Sequence, residues 1–379
     1  MKIAINCCDL DSERIDGTRV YIKNLLNHFG SISTEDEFWL FHKKEFNPAL
    51  APKMFSNYRD CKIPYPFWWT QTRFPYEIKR EGFDVVWMPI QQIPLMRDKN
   101  SRYVVTIHDL AWKYFPQNYE FINRLKLDFF AETAIKRADR VVAISESTKK
   151  DILKFYPQVD ANKVSVVYHG FERKWLESKF SSEQKKQLEG KYQITDKNYL
   201  LYVGGLDDKE NVAILIEAFN QLKKQTDFSG LKLVLVGEEK KNSKKTWAKI
   251  KKSFARKDII VTGRIEFTEL AWFYQGAKAF VLPSKYEGFG LPVLEAFVAQ
   301  VPVIAVNRGA SLEIGQDAAI YFDGENTQGL VQKLEIVLSD EAMAKKMIKR
   351  GLERANDFSW RKCAEETLAV IKSQNNKPI

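Results

Sequence analysis

The densest chemistry in the chain lies in the stretch Leu282-Pro-Ser-Lys-Tyr-Glu287-Gly288-Phe289-Gly290-Leu291-Pro292-Val-Leu-Glu295-Ala. The pattern reads as a strand ending near Leu282, a loop with two glycines, and a helix from about Leu291, with Pro292 suited to the first helical turn. Gly288 and Gly290 let the backbone approach a ligand closely. The free N–H groups at the start of the helix, Leu291 onward, attract an anion, and a diphosphate is the obvious candidate. Two carboxylates, Glu287 and Glu295, flank that anion site. Acids beside a phosphate are costly unless something else needs them. Sugar hydroxyls would: a diol donates two hydrogen bonds and a carboxylate accepts two. The residues then read as a nucleotide-sugar site, with phosphates on the backbone, one Glu on the ribose and one on the hexose. Taken alone they also permit a plainer reading, in which Glu295 complements the helix dipole and Glu287 is an ordinary loop acid.

The elements that must position such a loop are parallel strands. Short β-branched runs alternate with helix-length amphipathic runs. Strands are expected at Lys2–Cys7, Phe38–His42, Asp84–Met88, Tyr103–Ile107, Arg140–Ile144 and Val164–Tyr168. The pattern restarts at Tyr199–Val203, Leu231–Val236, Ile259–Thr262, Ala279–Leu282, Val303–Val306 and Ala319–Phe322. Near-continuous apolar strands separated by helices mean parallel sheets buried on both faces. Between them, Val212, Leu215, Phe219 and Leu222 make one helical stripe. The expected class is therefore α/β, with two doubly wound halves facing across a cleft, residues 1–175 and 190–358, and a polar linker near Glu172 to Thr195. A closing helix over about 361–373, with Ala364, Leu368 and Ile371 in a stripe, packs on either half.

Composition bounds the rest. The chain has 379 residues, a formal net charge of +10, 45% hydrophobic residues and four cysteines without a C-x-x-C pair. It is globular rather than disordered, and neither a disulfide scaffold nor a structural zinc site is expected. No run of 18 apolar residues occurs, and the N-terminus lacks a signal peptide's apolar core and cleavage site. A cytoplasmic protein is expected. The charge favours acidic partners but does not choose among nucleotide, nucleic acid and anionic lipid. The absence of a zinc-finger or RNA-recognition signature weighs against nucleic acid.

The Glu287–Glu295 stretch resembles the E-x7-E motif of GT4-type retaining glycosyltransferases with the GT-B fold, two Rossmann-like domains. The resemblance covers most of the chain. Tyr202-Val203-Gly204-Gly205-Leu206-Asp207 with Asn211 resembles the family's YVG…KN segment. Thr262-Gly263-Arg264 with Glu269-Leu270 and Ala277 is similar to its next strand and helix. Pro302-Val303-Ile304-Ala305, Gly309 to Glu313 and Asp357-Phe358-Ser359-Trp360 follow its later motifs. Thr106-Ile107-His108-Asp109-Leu110 resembles its HD segment, and Ser145 to Leu153 its S…L segment.

The resemblance implies hexose transfer with retention from a nucleotide-sugar, without a metal ion or other cofactor, to a glycan or lipid-linked glycan acceptor. It leans towards mannose from GDP-mannose, with dTDP-rhamnose or a UDP-sugar as alternatives, and so towards polysaccharide biosynthesis. It implies that Glu295 binds ribose and Glu287 the transferred sugar, with Gly288, Phe289, Gly290 and Leu291 near sugar and phosphate. His108 would meet the sugar's hydroxyls, with Asp109 on the acceptor side. From the residues alone, a histidine ending a buried strand is also a common hydrogen-bonded core residue.

Three departures from the family pattern stand out. Gly205 replaces a polar residue, and Glu210 stands where a Lys is usual. The cation for the leaving diphosphate would then be Lys209 or Arg264. The first loop, Arg14 to Arg19, has one glycine, Gly17, which still admits a ligand. Gln300 replaces a helix-end glycine. An inactive transferase-like binding subunit is the alternative that Gly205 and Glu210 motivate.

Two surface features remain. Gly237 to Lys257 holds eight Lys and one Arg, with Trp247, Ile250 and Phe254 at helical spacing. It reads as a solvated helix docked by its apolar stripe, or as one lying on anionic lipid at the inner face of the membrane. The aromatic run Ile63 to Trp69, with Trp68 and Trp69, reads as an acceptor loop or as packing.

Overall fold

The computed structural model describes residues 1–239 and 242–373. Contacts divide it into two compact units, Met1–Gly170 with the chain from Phe358 onward, and Phe171–Asp357.

The first unit is built on strands β1 (Lys2–Asn6), β2 (Glu37–His42), β3 (Tyr58–Lys62), β4 (Val85–Met88), β5 (Arg102–Ile107), β6 (Arg140–Ala143) and β7 (Val164–Val166). All pair in parallel, in the order β3-β2-β1-β4-β5-β6-β7. Strand β3 is not foreseen from the sequence. Its residues YRDCK bury only Tyr58, as suits an edge strand with one covered face. Helices α1 (Gly17–Ile32), α2 (Arg73–Glu81), α3 (Ala111–Tyr114), α4 (Phe121–Arg137) and α5 (Glu146–Phe155) connect the strands. Helix α1 begins because Asp16 caps it, accepting the Arg19 N–H at 3.2 Å. It buries Tyr21, Ile22, Leu25, Leu26 and Phe29 at helical spacing. Those side chains share a core with Phe38 and Trp87, and each such burial stabilises the fold by about 1.5–3 kcal/mol. The opposite face of the sheet carries α2 and α4, through Phe74, Ile78, Ala131, Ala134 and Ile135.

The second unit holds β8 (Tyr199–Val203), β9 (Lys232–Val236), β10 (Ile259–Gly263), β11 (Ala279–Leu282), β12 (Val303–Val306) and β13 (Ala319–Phe322). These are also parallel, in the order β10-β9-β8-β11-β12-β13. Its helices are α6 (Ser182–Tyr192), α7 (Val212–Leu222), α8 (Lys244–Lys252), α9 (Phe267–Gly276), α10 (Leu291–Val298), α11 (Gly309–Gly315), α12 (Thr327–Ser339) and α13 (Glu341–Ala355). The polar stretch read as a linker folds: Ser181 and Gln184 form a capping box that starts α6. Lys191 and the Tyr192 hydroxyl then tie α6 to Glu269 of α9, at 2.5 and 2.8 Å. This unit therefore begins at Phe171 rather than near residue 190.

The last helix, α14 (Trp360–Lys372), lies on the first unit against α1. Trp360, Ala364, Leu368 and Ile371 enter that core, and Lys372 is 2.7 Å from both Glu35 and Asp36. Helix α8 docks as a solvated helix would. Ile250 is buried and Trp247 packs on the same core, while Phe254 lies beyond the helix end and is exposed. Lys240 and Lys241 of the basic run lie outside the described residues.

Both sheets reverse direction once. In the second unit the reversal falls between β8 and β11, and in the first between β1 and β4. Ligands of open parallel sheets bind at the carboxyl ends of the strands at such a point. The loops leaving β8 and β11 are Gly204–Asn211 and Pro283–Gly290, the two stretches singled out in the sequence.

Candidate active site

At the end of β8 the backbone passes unusually close to β9. A Cβ on Gly237 would stand 1.8 Å from the Gly204 carbonyl oxygen, so neither strand end tolerates a side chain there. The chain then turns through Leu206 and Asp207. Asp207 accepts the Lys209 N–H at 3.0 Å, and Asn211 enters α7 in the left-handed region, at φ 54°.

Glu210 explains the inverted charge order. It is buried at 5% exposure. The Ser284 hydroxyl donates to its Oε2 at 2.7 Å, and the Tyr202 hydroxyl lies 3.5 Å from the same atom. Lys209 Nζ is 2.9 Å from its other oxygen. The same ammonium reaches the carbonyl of Tyr286, the residue before Glu287, at 3.4 Å. A backbone bond from Lys285 N–H to the Lys209 carbonyl, 2.9 Å, joins the two loops directly. The acid at position 210 therefore points inward as an anchor, and the cation stands one residue earlier, at the base of the Glu287 loop. Its ammonium is shared between the Glu210 carboxylate and the Tyr286 carbonyl.

Gly290 sits at the N-cap of α10 with φ 99°, a conformation that strains any other L-residue. No side chain caps this helix and its first turn holds no acid. Pro292 has no N–H and the Val293 N–H bonds the Gly290 carbonyl at 3.0 Å, which leaves the N–H groups at Gly290 and Leu291 as the donors an anion would meet. Phe289 is buried beside it. Glu287 and Glu295 are both partly buried. The Tyr274 hydroxyl of α9 donates to Glu295 Oε2 at 2.6 Å. Burial pushes the Glu295 carboxyl up to about 7, against the smaller opposite effect of that hydrogen bond. Tyr274, Tyr202 and Ser284 were not foreseen. Tyr274 belongs to a helix whose aromatic run reads as core, and nothing in sequence marks its hydroxyl.

Arg264 stands at the end of β10, on the far side of β9. Its guanidinium is 71% exposed and 3.8 Å from Glu238. The unit also holds a cavity of about 260 Å³ lined by Asp208, Glu217 and Glu325 and by Lys245, Lys249 and Lys285. Neither Glu287 nor Glu295 lines it, and its three acids and three lysines balance.

In the first unit His108 ends β5. Its Nε2 is 2.9 Å from the Pro89 carbonyl at the end of β4. A carbonyl only accepts, so Nε2 carries the proton and Nδ1 of the neutral ring is an acceptor. Burial lowers the His108 pKa, which keeps the ring neutral. Tyr21 meets His108 edge-on, with centroids 5.0 Å apart, and stacks on His169 at 4.7 Å. Asp109 accepts the Ala111 N–H at 3.0 Å and holds the turn into α3. Gly17 opens α1 at an exposed position, while Arg19 is engaged by Asp16 at 2.6 Å and Asp9 at 3.2 Å. The two tryptophans part company. Trp68 is exposed, at φ 42°. Trp69 is a core residue, stacked on Phe74 with its indole N–H on the Ile63 carbonyl at 2.9 Å, so it is withdrawn as an acceptor contact. Among the described residues no three His, Cys, Asp or Glu converge as metal ligands.

Two family descriptions match the chain, "Glycosyltransferase Family 4" over residues 38–175 and "Glycosyl transferases group 1" over residues 184–354. Between them they take in most of both units. The chain belongs to the GT4-type glycosyltransferases, of GT-B fold, and transfer of a hexosyl group is the chemistry that membership supports. It is 24% identical over 272 residues to the O-antigen chain mannosyltransferase B of Escherichia coli, covering 72% of this chain and 70% of the relative. It is 27% identical over 246 residues to the O-antigen chain mannosyltransferase RfbU of Salmonella typhimurium, covering 64% and 62%. The Anabaena protein HepE, solved in complex with UDP and glucose, superposes with a TM-score of 0.72 at 15% identity over 99% of this chain and 100% of that one.

Proposed function

We propose that this chain is a retaining hexosyltransferase that moves mannose from GDP-mannose to a glycan or lipid-linked glycan acceptor in polysaccharide biosynthesis. The reaction runs in the cytoplasm and needs no metal ion. One observation carries the reading: Lys209, anchored by buried Glu210, stands against the backbone of the Glu287 loop at the sheet's reversal point. In this reading the diphosphate lies on the Gly290–Leu291 N–H groups and Lys209. Glu295 takes the ribose diol and Glu287 the hexose. His108, through Nδ1, accepts from a sugar hydroxyl. The leaving phosphate gathers charge as the glycosidic bond breaks, and Lys209 and the helix start stabilise it without reorganising. The oxygen of the acceptor attacks from the same face and passes its proton to the departing diphosphate. The mannosyltransferase relatives support mannose, whereas UDP and glucose in HepE keep a UDP-sugar in contention.

The test combines a thermal-shift panel of GDP-, UDP- and dTDP-sugars with a transfer assay. The reading expects GDP-mannose to raise the melting temperature most, and Glu287→Ala to abolish transfer while nucleotide binding survives. Unimpaired transfer by Glu287→Ala would sink it. A tight nucleotide complex with no turnover on any donor would favour the binding subunit that Glu210 first suggested.

A further inference from the structure

The first unit displays an apolar surface to which the donor site assigns no role. Of the sixteen large hydrophobic residues exposed among the described ones, ten lie between Tyr65 and Phe129. Scattered exposed apolar side chains are ordinary, but a concentration of this kind marks a surface that meets something. All ten sit in the layer of helices and loops that covers one face of the sheet. Phe121, Leu125 and Phe129 follow one another at every fourth residue of α4, a stripe about 12 Å long. They are turned away from the core, which α4 meets through Ala131, Ala134 and Ile135. Helix α4 is thus apolar on two sides, and only one is covered. Phe67, Trp68 and Met96 are also exposed, on loops of the same unit. Together these six residues are between 50% and 78% exposed. The loop carrying Met96 is fixed to both neighbours. Gln71 bonds the Ile93 carbonyl at 3.1 Å and the Leu95 N–H at 2.9 Å, and Arg137 of α4 donates to the Leu95 carbonyl at 2.9 Å.

Charge selects the occupant. The acids of α4 are engaged within the unit, Asp128 by Lys113 at 2.5 Å and Glu132 by Lys136. Arg124 lies over the Phe121 ring at 5.4 Å, and Lys126, two residues on, is exposed. Apolar side chains bordered by cations are complementary to the interface of an anionic bilayer, where the rings enter the acyl boundary and the cations meet headgroups. A second copy of the chain fits less well, because a two-fold contact on this face would set Arg124 and Lys126 against their own counterparts. We infer that the α4 stripe and the Phe67–Trp68 and Met96 loops form a docking surface for an anionic lipid bilayer. Helix α8, though more basic, turns its apolar residues into its own core and is not that surface.

The full chain is mixed with phosphatidylcholine vesicles and with phosphatidylcholine–phosphatidylglycerol vesicles and separated by flotation. Binding is expected only to the anionic vesicles, weakening with added salt. Phe121→Ser/Leu125→Ser/Phe129→Ser should cut it at least about tenfold. Arg124→Glu/Lys126→Glu should cut it too, while Lys244→Glu/Lys245→Glu on α8 leaves it unchanged. The altered side chains are exposed, and an unshifted melting temperature confirms that the variants fold. No binding by the parent chain, binding unaffected by the α4 variants, or a solution dimer that the triple variant dissociates would each overturn the inference.

Discussion

At the scale of single residues, the proposed site turns on where Lys209, Glu287 and Glu295 stand. Lys209→Met should lower kcat by about 10²–10³, the usual cost of one preorganised group at a leaving anion. Arg264→Ala, at an exposed guanidinium on another strand, should stay within a few-fold. Steady-state transfer assays on the two variants decide the assignment, and equal losses would refute it. The sequence left this choice open because a turn's register is not visible in residue order. Only the burial of Glu210 against Ser284 and Tyr202 shows that the acid faces inward and the lysine outward. Glu295 makes a second prediction. Its carboxyl, ordinarily near 4.5, is held up to about 7 by burial, so it is protonated in mildly acidic solution and gains its full accepting capacity above that. Nucleotide-sugar affinity should therefore rise from about pH 6 to about pH 8, by up to roughly tenfold per unit on the acid side. The diphosphate of a nucleotide-sugar does not titrate there, which isolates the effect. The linked sign for stability is opposite. The folded carboxyl keeps a proton that the unfolded chain releases, so the free protein loses stability as pH rises from 4.5 to about 7. Calorimetric titrations across the range should show both trends, and Glu295→Gln should flatten them.

At the scale of elements, the proposed anion site depends on the start of α10. Gly290 at φ 99° turns the chain into a helix whose start carries no side-chain cap. Gly290→Ala meets open space, its Cβ finding neighbours only at 4.0 Å, so its cost is backbone strain of about 1–2 kcal/mol rather than a clash. It should lower the melting temperature slightly and weaken nucleotide binding more, as the opening turn relaxes away from its orientation. A variant that loses stability but binds normally would show that the helix start does not hold the anion. This element was legible in sequence because glycine, proline and an apolar run fix a strand–loop–helix with little ambiguity. Other elements were not. Strand β3 carries Arg59, Asp60 and Lys62, and it is a strand because β2 offers it an edge, from Phe38 to His42. Helix α6 has no apolar stripe and exists through its capping box and the contacts of Lys191 and Tyr192 with α9. Trp69 and Trp68 are neighbours in sequence with opposite fates, because the left-handed turn at Trp68 sends one ring inward and leaves the other outside. Tertiary partners decided each of these, and a single chain's pattern does not carry its partners.

At the scale of the whole molecule, the two units are not two consecutive lengths of chain. The backbone leaves the first at Gly170, completes the second by Asp357, and returns as α14. That return is structural. A Cβ on Gly170 would fall 2.2 Å from the Trp360 backbone nitrogen, so the end of the first stretch and the start of the last are in direct contact. Cys363, Ala364, Leu368 and Ile371 then fill the face of α1 that would otherwise meet water, and Lys372 closes on Asp36. The second unit owes α14 none of its core. Truncation after Asp357 should therefore act on one unit alone. Losing Leu368 and Ile371 at about 1.5–3 kcal/mol each, with Trp360 besides, is comparable to the whole stability of a domain. The first unit should unfold or aggregate, while the second keeps its sheet, its Lys209–Glu210 pair and its response to nucleotide. Differential scanning calorimetry of the truncated chain should then show one nucleotide-sensitive transition where the full chain shows an additional one. Loss of nucleotide-induced stabilisation on truncation would mean instead that the second unit's site is not self-contained.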